Sequence, residues 1–426
     1  MKNKKFHYAW VMGVLGFLIL YVTIGMAMTV YGSYSPFFLK EYGLNHTQNG
    51  TLVSLRTTVA FCAMFLCGVY YRKLSLRVGL TIGIIVGGIG YIVLAIGSSY
   101  AAAATAFVLI GFAHGIAGMI PVSNLIKNWF IKYRGLFLGV TAAASGFATF
   151  TLPTTVTAVV QSNGLRTCLW GMAAIWIVFA LLVLTLCRDT PETKGLQPLG
   201  YAEGAEIKEG KEFSRKLHPY KATRGDFILL LIAAFLLGGT HNVSNAFSTL
   251  NLTTVGYDPA DVAKIISAFG LMLIFGKLIL GAVSDRFAQH KVLWIWMIAT
   301  MVANGLLACS GMSWFNLRFA FLANAIWAIG APLTTTGFGI MALDMEYKDN
   351  FSDIVRLCTC VFNIGSATFQ SVCGMLADAS GGYYHTSYAF ISALCIPTMI
   401  LLYIAYARAH KRYKNQTTED SAEIAD

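Results

Sequence analysis

Six basic side chains stand inside stretches of sequence that are otherwise almost wholly apolar: Arg56, Lys264, Lys277 and Arg356, with His114 and His241. No Asp or Glu lies deep in those stretches, because Asp226, Asp261, Asp344, Asp353 and Asp378 all fall at their ends. If the stretches cross a membrane, each ionised group costs at least about 2.5–3.5 kcal/mol to bury there. Such a group must face a cavity or a partner. A cavity with bases and no acids is electropositive, and a bound anion would supply the missing counter-charge. A guanidinium suits a carboxylate in particular, since two N–H groups can meet two oxygens side by side.

The bases carry unequal weight. Arg56 stands about 24 Å along a helix axis from Arg72, too far to reach the polar end of its stretch. It reads as an anion ligand, with bonding to helix carbonyls as the plain alternative. Lys277 is about 12 Å from Asp285, a distance that a long side chain covers only in part. Lys264 and Lys277 point to opposite faces of one helix, and Lys264, near the end, reads as a side chain reaching for water. Arg356 lies one turn from Asp353, so an interface charge or an ion pair with the acidic 344–353 turn competes with a ligand contact.

Neutral polar residues extend the pattern. Arg356, Thr359, Asn363, Ser366 and Gln370 recur at spacings of three and four and form one polar face on an apolar helix. That face reads as a wet path, although interhelical hydrogen bonding alone would explain Asn363 or Gln370. His241, Asn242 and Asn245 form a second patch, open to the same two readings. His114, in Gly111-Phe-Ala-His114-Gly115, reads either as bonded to a neighbouring helix or as a proton carrier, because histidine titrates near neutrality. Among the aromatics, Tyr21, Tyr31, Tyr34, Trp327 and Phe338 are candidates to line a cavity, with Tyr31 and Trp327 preferred.

The elements that position these residues follow from composition. Of the 426 residues, 56% are hydrophobic and 12% charged, against about 25% charged in an ordinary soluble domain. Apolar runs of about 20 residues span a bilayer as helices. Twelve are present, at roughly 9–31, 48–70, 78–97, 102–126, 134–160, 167–187, 226–250, 261–283, 291–310, 316–343, 353–377 and 386–407. The fold class is therefore all-α and membrane-embedded, in two six-helix bundles. The expected organisation is an N-terminal bundle at 1–187, a flexible linker with room for one short surface helix at 188–224, a C-terminal bundle at 225–408 and a tail at 409–426.

Lys and Arg outside the runs crowd one side of these helices, while Lys40, Arg166 and Arg318 stand alone on the other. By the positive-inside rule, both termini and the linker are cytoplasmic, in a plasma (bacterial inner) membrane. The formal charge of +11 does not point to nucleic acid, because the basic residues sit in short clusters between apolar runs. The nine cysteines fall inside apolar runs without metal-ligand spacing. No cofactor or metal is expected, and no nucleophile elbow, phosphate loop or paired deep carboxylate suggests an enzyme.

The second half echoes the first. Gly68-Val-Tyr-Tyr-Arg72-Lys73 follows the second run, and Gly281-Ala-Val-Ser-Asp285-Arg286 follows the eighth. At these turns the chain resembles the Major Facilitator Superfamily, whose hallmark there is Gly-x-x-x-Asp-Arg. The second copy matches, while Arg72 and Lys73 replace the pair in the first. A finer resemblance is to the monocarboxylate-transporter and oxalate–formate branch. It rests on Phe37-Phe-Leu-Lys40-Glu41 and on Pro121-x5-Lys127-Asn-Trp-Phe130-x3-Arg134-Gly135-x3-Gly139. Lys277-Leu-Ile-Leu-Gly281 is similar to that branch's Arg-Pro-x-x-Gly, with Lys for Arg, no Pro, and Leu273 where an acid is expected.

The resemblance implies a secondary transporter that alternates access to a midplane site between its halves. It implies a small organic anion as substrate, a mono- or dicarboxylate, with a proton or a counter-anion as the coupled species. Arg56 and Lys277 would bind it, with Lys40 at the external mouth as a proton-coupling contact or simply a solvated lysine. Asp285, Arg286, Arg72, Lys73 and Arg134 would form the cytoplasmic gate. The expected unit is a monomer in the lipid bilayer. The competing expectation is a carrier of another class, either an exporter of hydrophobic compounds or a sugar or nucleoside carrier.

Overall fold

The computed structural model describes residues 7–201, 220–287, 289–334, 341 and 351–423. The long helices among the described residues are named α1 to α12. Helix α1 runs through Ala9–Leu20, a π-helical stretch Tyr21–Thr29, and Tyr31–Tyr42. It is followed by α2 (His46–Lys73), α3 (Leu76–Ile96), α4 (Tyr100–Ala117 and Met119–Trp129), α5 (Arg134–Asn163) and α6 (Leu165–Leu186). Helix α7 comprises Arg224–Leu237, a π stretch Gly238–Asn242 and Val243–Thr254. The last five are α8 (Pro259–Arg286), α9 (Gln289–Ala308), α10 (Leu317–Gly330, closing in a 3-10 turn), α11 (Phe351–Ala379) and α12 (His385–Glu423). Ten of these spans are long and apolar enough to cross a membrane, and Leu293–Ala308 and Leu317–Leu333 are shorter apolar helices. Among the described residues there is no β-strand, only an isolated bridge between Phe130 and Leu199.

Local chemistry sets the helix ends. Ser75 and Ser99 cap α3 and α4 by accepting from Val78 and Ala102 amides, which meets donors that a helix start leaves unpaired. Asp258 does the same for α8, with Pro259 at its first position. Helix α1 ends on Gly43 with a left-handed φ of 62°, a conformation that glycine adopts without Cβ strain. The spans expose apolar side chains outward, among them Phe65, Val178 and Leu181. In water such a surface would be a liability, whereas lipid is as apolar as the side chains themselves.

Contacts divide the chain into two compact units. The first comprises Met1–Leu44 and Leu55–Glu212, and the second Asn45–Ser54 and Phe213–Asp426. In the first, α3 packs along α4 and α6, and α5 covers the π stretch of α1. In the second, α12 packs on α9 and α7, α11 on α7, and α8 on α10. The opening turns of α2 belong to this second unit. Asp378 of α11 accepts from the amides of His46 at 3.0 Å and Thr47 at 2.8 Å.

The linker's first part is docked, not free. Asp189 accepts from the amides of Leu76 (3.0 Å) and Arg77 (2.8 Å) at the start of α3. Trp129 Nε1 donates to the Arg188 carbonyl, Asn128 Nδ2 to that of Asp189, and Leu199 pairs its amide and carbonyl with the 129–132 backbone. Pro191–Lys194 forms one 3-10 turn. Residues 202–219 lie outside the described ones. At the other end α12 runs on through most of the expected tail, to Glu423.

Candidate functional site

Arg56 is placed by a close crossing of α2 and α4. A Cβ on Gly111 would lie 2.5 Å from the Arg56 carbonyl oxygen, and Gly115 one turn on meets the backbone of Ala60. Small residues four apart let two helix backbones touch, a recurring device in membranes. The crossing turns the Arg56 side chain toward the π stretch of α1. There Nη1 donates to the Ala27 carbonyl at 2.8 Å, and the guanidinium carbon sits 5.2 Å from the Tyr31 ring centre and 5.5 Å from that of Phe107.

The π register creates the acceptors. The Val30 amide bonds the Gly25 carbonyl, five residues back, at 2.9 Å. In an α-helix it would bond Met26, so the Met26 carbonyl is released, and the hydroxyl of Tyr91 on α3 donates to it. His114 on α4 bonds the Thr23 carbonyl through Nδ1 at 2.8 Å. Three helices thus each send one polar side chain to this stretch. On the opposite side Gly25 presses against Ala148 of α5.

The balance of charge at Arg56 is incomplete. The residue is 5% exposed, and among the described residues the only other buried charged side chain is Asp226, at the start of α7. Asp226 is engaged by Arg412 and by Thr223 in a capping box. One hydrogen bond to a charged group contributes about 1.5–3 kcal/mol, and each ring face about 0.5–2 kcal/mol. Arg56 Nε, however, has no hydrogen-bond partner among the described residues, and a buried donor left so costs about 1–3 kcal/mol. The guanidinium is held but not fully satisfied, and any acceptor that reached Nε, neutral or anionic, would meet the open donor.

In the second unit Lys277 is half-buried on α8 beside Gly276, which packs on the Ala328 carbonyl and the Pro332 ring of α10. Trp327, next to Ala328, stacks on Phe269 at 4.3 Å, and its indole Nε1 finds no partner among the described residues. Lys264 is exposed and pairs with Asp261 at 2.8 Å, as a side chain reaching for water would. Arg356 is exposed.

Several expected cavity residues are spent on packing. His241 is buried, with Nδ1 on Thr240 Oγ1 (2.9 Å) and Nε2 facing the Gly330 carbonyl (3.2 Å) and Thr300 Oγ1 (3.3 Å). Asn242 donates to Ser366 Oγ at 2.8 Å, Gln370 to the same oxygen at 3.3 Å, and Asn363 to the Thr359 carbonyl of its own helix at 2.7 Å. The polar face of α11 therefore ties that helix to α7 at Ser366. Asn245 and Lys40 are exposed. Tyr21 bonds Thr151 at 2.8 Å, and Phe338 lies outside the described residues.

At the turn after α2, Arg72 and Lys73 are exposed, as is Arg134 at the start of α5. The binding there is done by tyrosines. Tyr70 donates to the Gly79 carbonyl of α3 at 3.1 Å, and Tyr71 to the Ile116 carbonyl of α4 at 3.0 Å. The side chains of Asp285 and Arg286 lie outside the described ones.

A family model described as Major Facilitator Superfamily matches residues 17–345 and 229–425. The chain is 24% identical over 341 residues to a protein of Chlamydia pneumoniae named as a probable hexose phosphate transport protein, covering 74% of this chain and 73% of that one. It is 20% identical over 387 residues to the glycerol-3-phosphate transporter of Bacillus subtilis, covering 87% and 86%. The crystal structure of the nucleoside transporter NupG superposes with a TM-score of 0.73 at 14% identity, covering 94% of this chain and 99% of that chain. At that identity the likeness is one of fold.

Proposed function

The chain belongs to the Major Facilitator Superfamily, and we propose that this multi-pass membrane transporter carries a small organic anion by alternating access. The observation that carries the reading is Arg56: a guanidinium 5% exposed, with no buried carboxylate at hand and its Nε without an acceptor among the described residues. A bound carboxylate would neutralise the charge and accept the waiting proton. Tyr31 flanks the same group. Within the second unit taken by itself, Lys277 and the indole of Trp327, whose Nε1 has no partner among the described residues, are the candidate anion contacts.

A mono- or dicarboxylate is the first choice, because the motif from Pro121 to Gly139 resembles the monocarboxylate and oxalate–formate branch. The coupled species is a proton or a counter-anion. The proposed unit is a monomer, and the distribution of Lys and Arg supports both termini being cytoplasmic.

A second reading is favoured by two relatives whose names refer to hexose phosphate and glycerol 3-phosphate. A phosphate monoester carries about −1.5 to −2 charges near neutrality and would meet Arg56 through the same chemistry. In a carrier of sugars, nucleosides or hydrophobic compounds, Arg56 would be structural only.

A thermal-shift screen separates these readings. Purified protein is heated with lactate, oxalate, succinate, glycerol 3-phosphate, glucose or uridine. A ligand at about 100 times its Kd adds roughly 2.7 kcal/mol of stability. Stabilisation by an anion in wild type, lost in Arg56→Gln, supports the proposal. Stabilisation by glucose or uridine alone, or by an anion equally in Arg56→Gln, overturns it.

A further inference from the structure

Tyr91 has no place in the anion-site reading so far, yet the geometry gives it one. It is fully buried on α3, and its hydroxyl fills the Met26 carbonyl that the π register of α1 releases. The next carbonyl along α1, that of Ala27, is the one that holds Arg56 Nη1. Two consecutive carbonyls of one π turn are therefore taken by two side chains from different helices, one neutral and one charged.

We propose that Tyr91 is a positioning residue for the anion site, acting on Arg56 through the Met26–Ala27 turn. This rests on the reading of Arg56 as the anion ligand. The π stretch runs over nine residues, Tyr21–Thr29, and its last bond has a ready alternative, because the Val30 amide can return to Met26 and shift the final turn toward the α register. The Tyr91 hydroxyl occupies Met26 and so holds the register out. With Tyr91 in place, the Ala27 carbonyl stays aimed at Nη1, and Nε keeps its open side. Without it, Val30 recaptures Met26, Ala27 rotates with the turn, and the guanidinium loses its anchor. His114, on Thr23, pins the other end of the stretch.

The test is Tyr91→Phe, which keeps the ring against Trp176, 5.9 Å away, and removes only the hydroxyl. With the anion from the panel of lactate, oxalate, succinate and glycerol 3-phosphate that stabilises wild type, KM rises about tenfold, of the order expected when one hydrogen bond to a charged group is lost. The maximal rate changes by less than about twofold. In an Arg56→Lys background, Tyr91→Phe adds nothing, because the two residues act as one unit. A packing role alone would give additive losses in both backgrounds, and that result overturns the proposal.

A second measurement needs no ligand. Phenylglyoxal labelling of Arg56, followed by peptide mass spectrometry, speeds up in Tyr91→Phe, while labelling of Arg166 is unchanged. Equal labelling of Arg56 in both proteins overturns the proposal. If none of the anions binds wild type while Arg56 labelling still accelerates, the positioning role stands and the anion reading fails.

Discussion

Gly111 of α4 lies against the backbone of Arg56 in α2, close enough that an added methyl would sit 2.5 Å from the Arg56 carbonyl oxygen. The contact sets how deep Arg56 stands between α1 and α4. Gly111→Ala must push the helices apart, and overpacking of this kind costs about 1–3 kcal/mol. We predict a lower unfolding midpoint in detergent and weaker anion binding. Gly135→Ala, where nothing lies within 4 Å of the added carbon, is the matched control and is predicted to leave both unchanged.

Phe107 offers Arg56 a ring face 5.5 Å away and also packs on Tyr31 at 5.2 Å. Phe107→Leu keeps an apolar filler but loses the ring quadrupole, worth about 0.5–2 kcal/mol at a desolvated site. The expected outcome is an anion Kd raised by roughly 2- to 30-fold, with little change in expression. The check is titration of the variant with the best-binding anion.

At the turn after α2 we predict that tyrosine chemistry matters more than charge. Tyr71→Phe removes the bond to the Ile116 carbonyl and should cost about 0.5–1.5 kcal/mol. Arg72→Gln, at an exposed position, should shift the unfolding midpoint by less than the tyrosine change. The reverse order would favour the gate role expected of Arg72 and Lys73.

Asp189 caps α3 through two amides, and Trp129 holds the Arg188 carbonyl. Asp189→Ala is predicted to cost about 0.5–2 kcal/mol, the usual range for a lost helix cap. It should also loosen the backbone around the exposed Lys194 and speed trypsin cleavage there. An unchanged cleavage rate would show that the docked segment is held by something else.

The fold was legible because lipid leaves so few choices. Backbone groups in a bilayer must bond within the helix, so an apolar run of sufficient length announces its own structure. Arg56 was legible for the same reason, as a lone charge in such a run. His241 and the α11 face were visible as polar, but sequence spacing cannot say whether a polar side chain meets water or another helix. Ser366 and the Gly330 carbonyl decided that. Tyr91 and Phe107 carried no signal, since aromatics are ordinary in apolar runs. The importance of Tyr91 comes from the end of a nine-residue π stretch, Tyr21–Thr29, where the Val30 amide bonds five residues back instead of four. Asp189 and Trp129 were hidden because the linker's composition reads as mobile, while its order comes from backbone pairing with Leu199. The Lys127-Asn-Trp-Phe130 pattern marked that place without revealing its partner.

The most direct test of the account is counterflow in liposomes reconstituted with wild type and with Arg56→Gln at matched insertion. Vesicles are preloaded with unlabelled anion, and uptake of the labelled anion is followed. The account predicts a transient overshoot with wild type that Arg56→Gln abolishes. Full counterflow of the same anion by Arg56→Gln would contradict the claim that this buried guanidinium is the substrate's counter-charge.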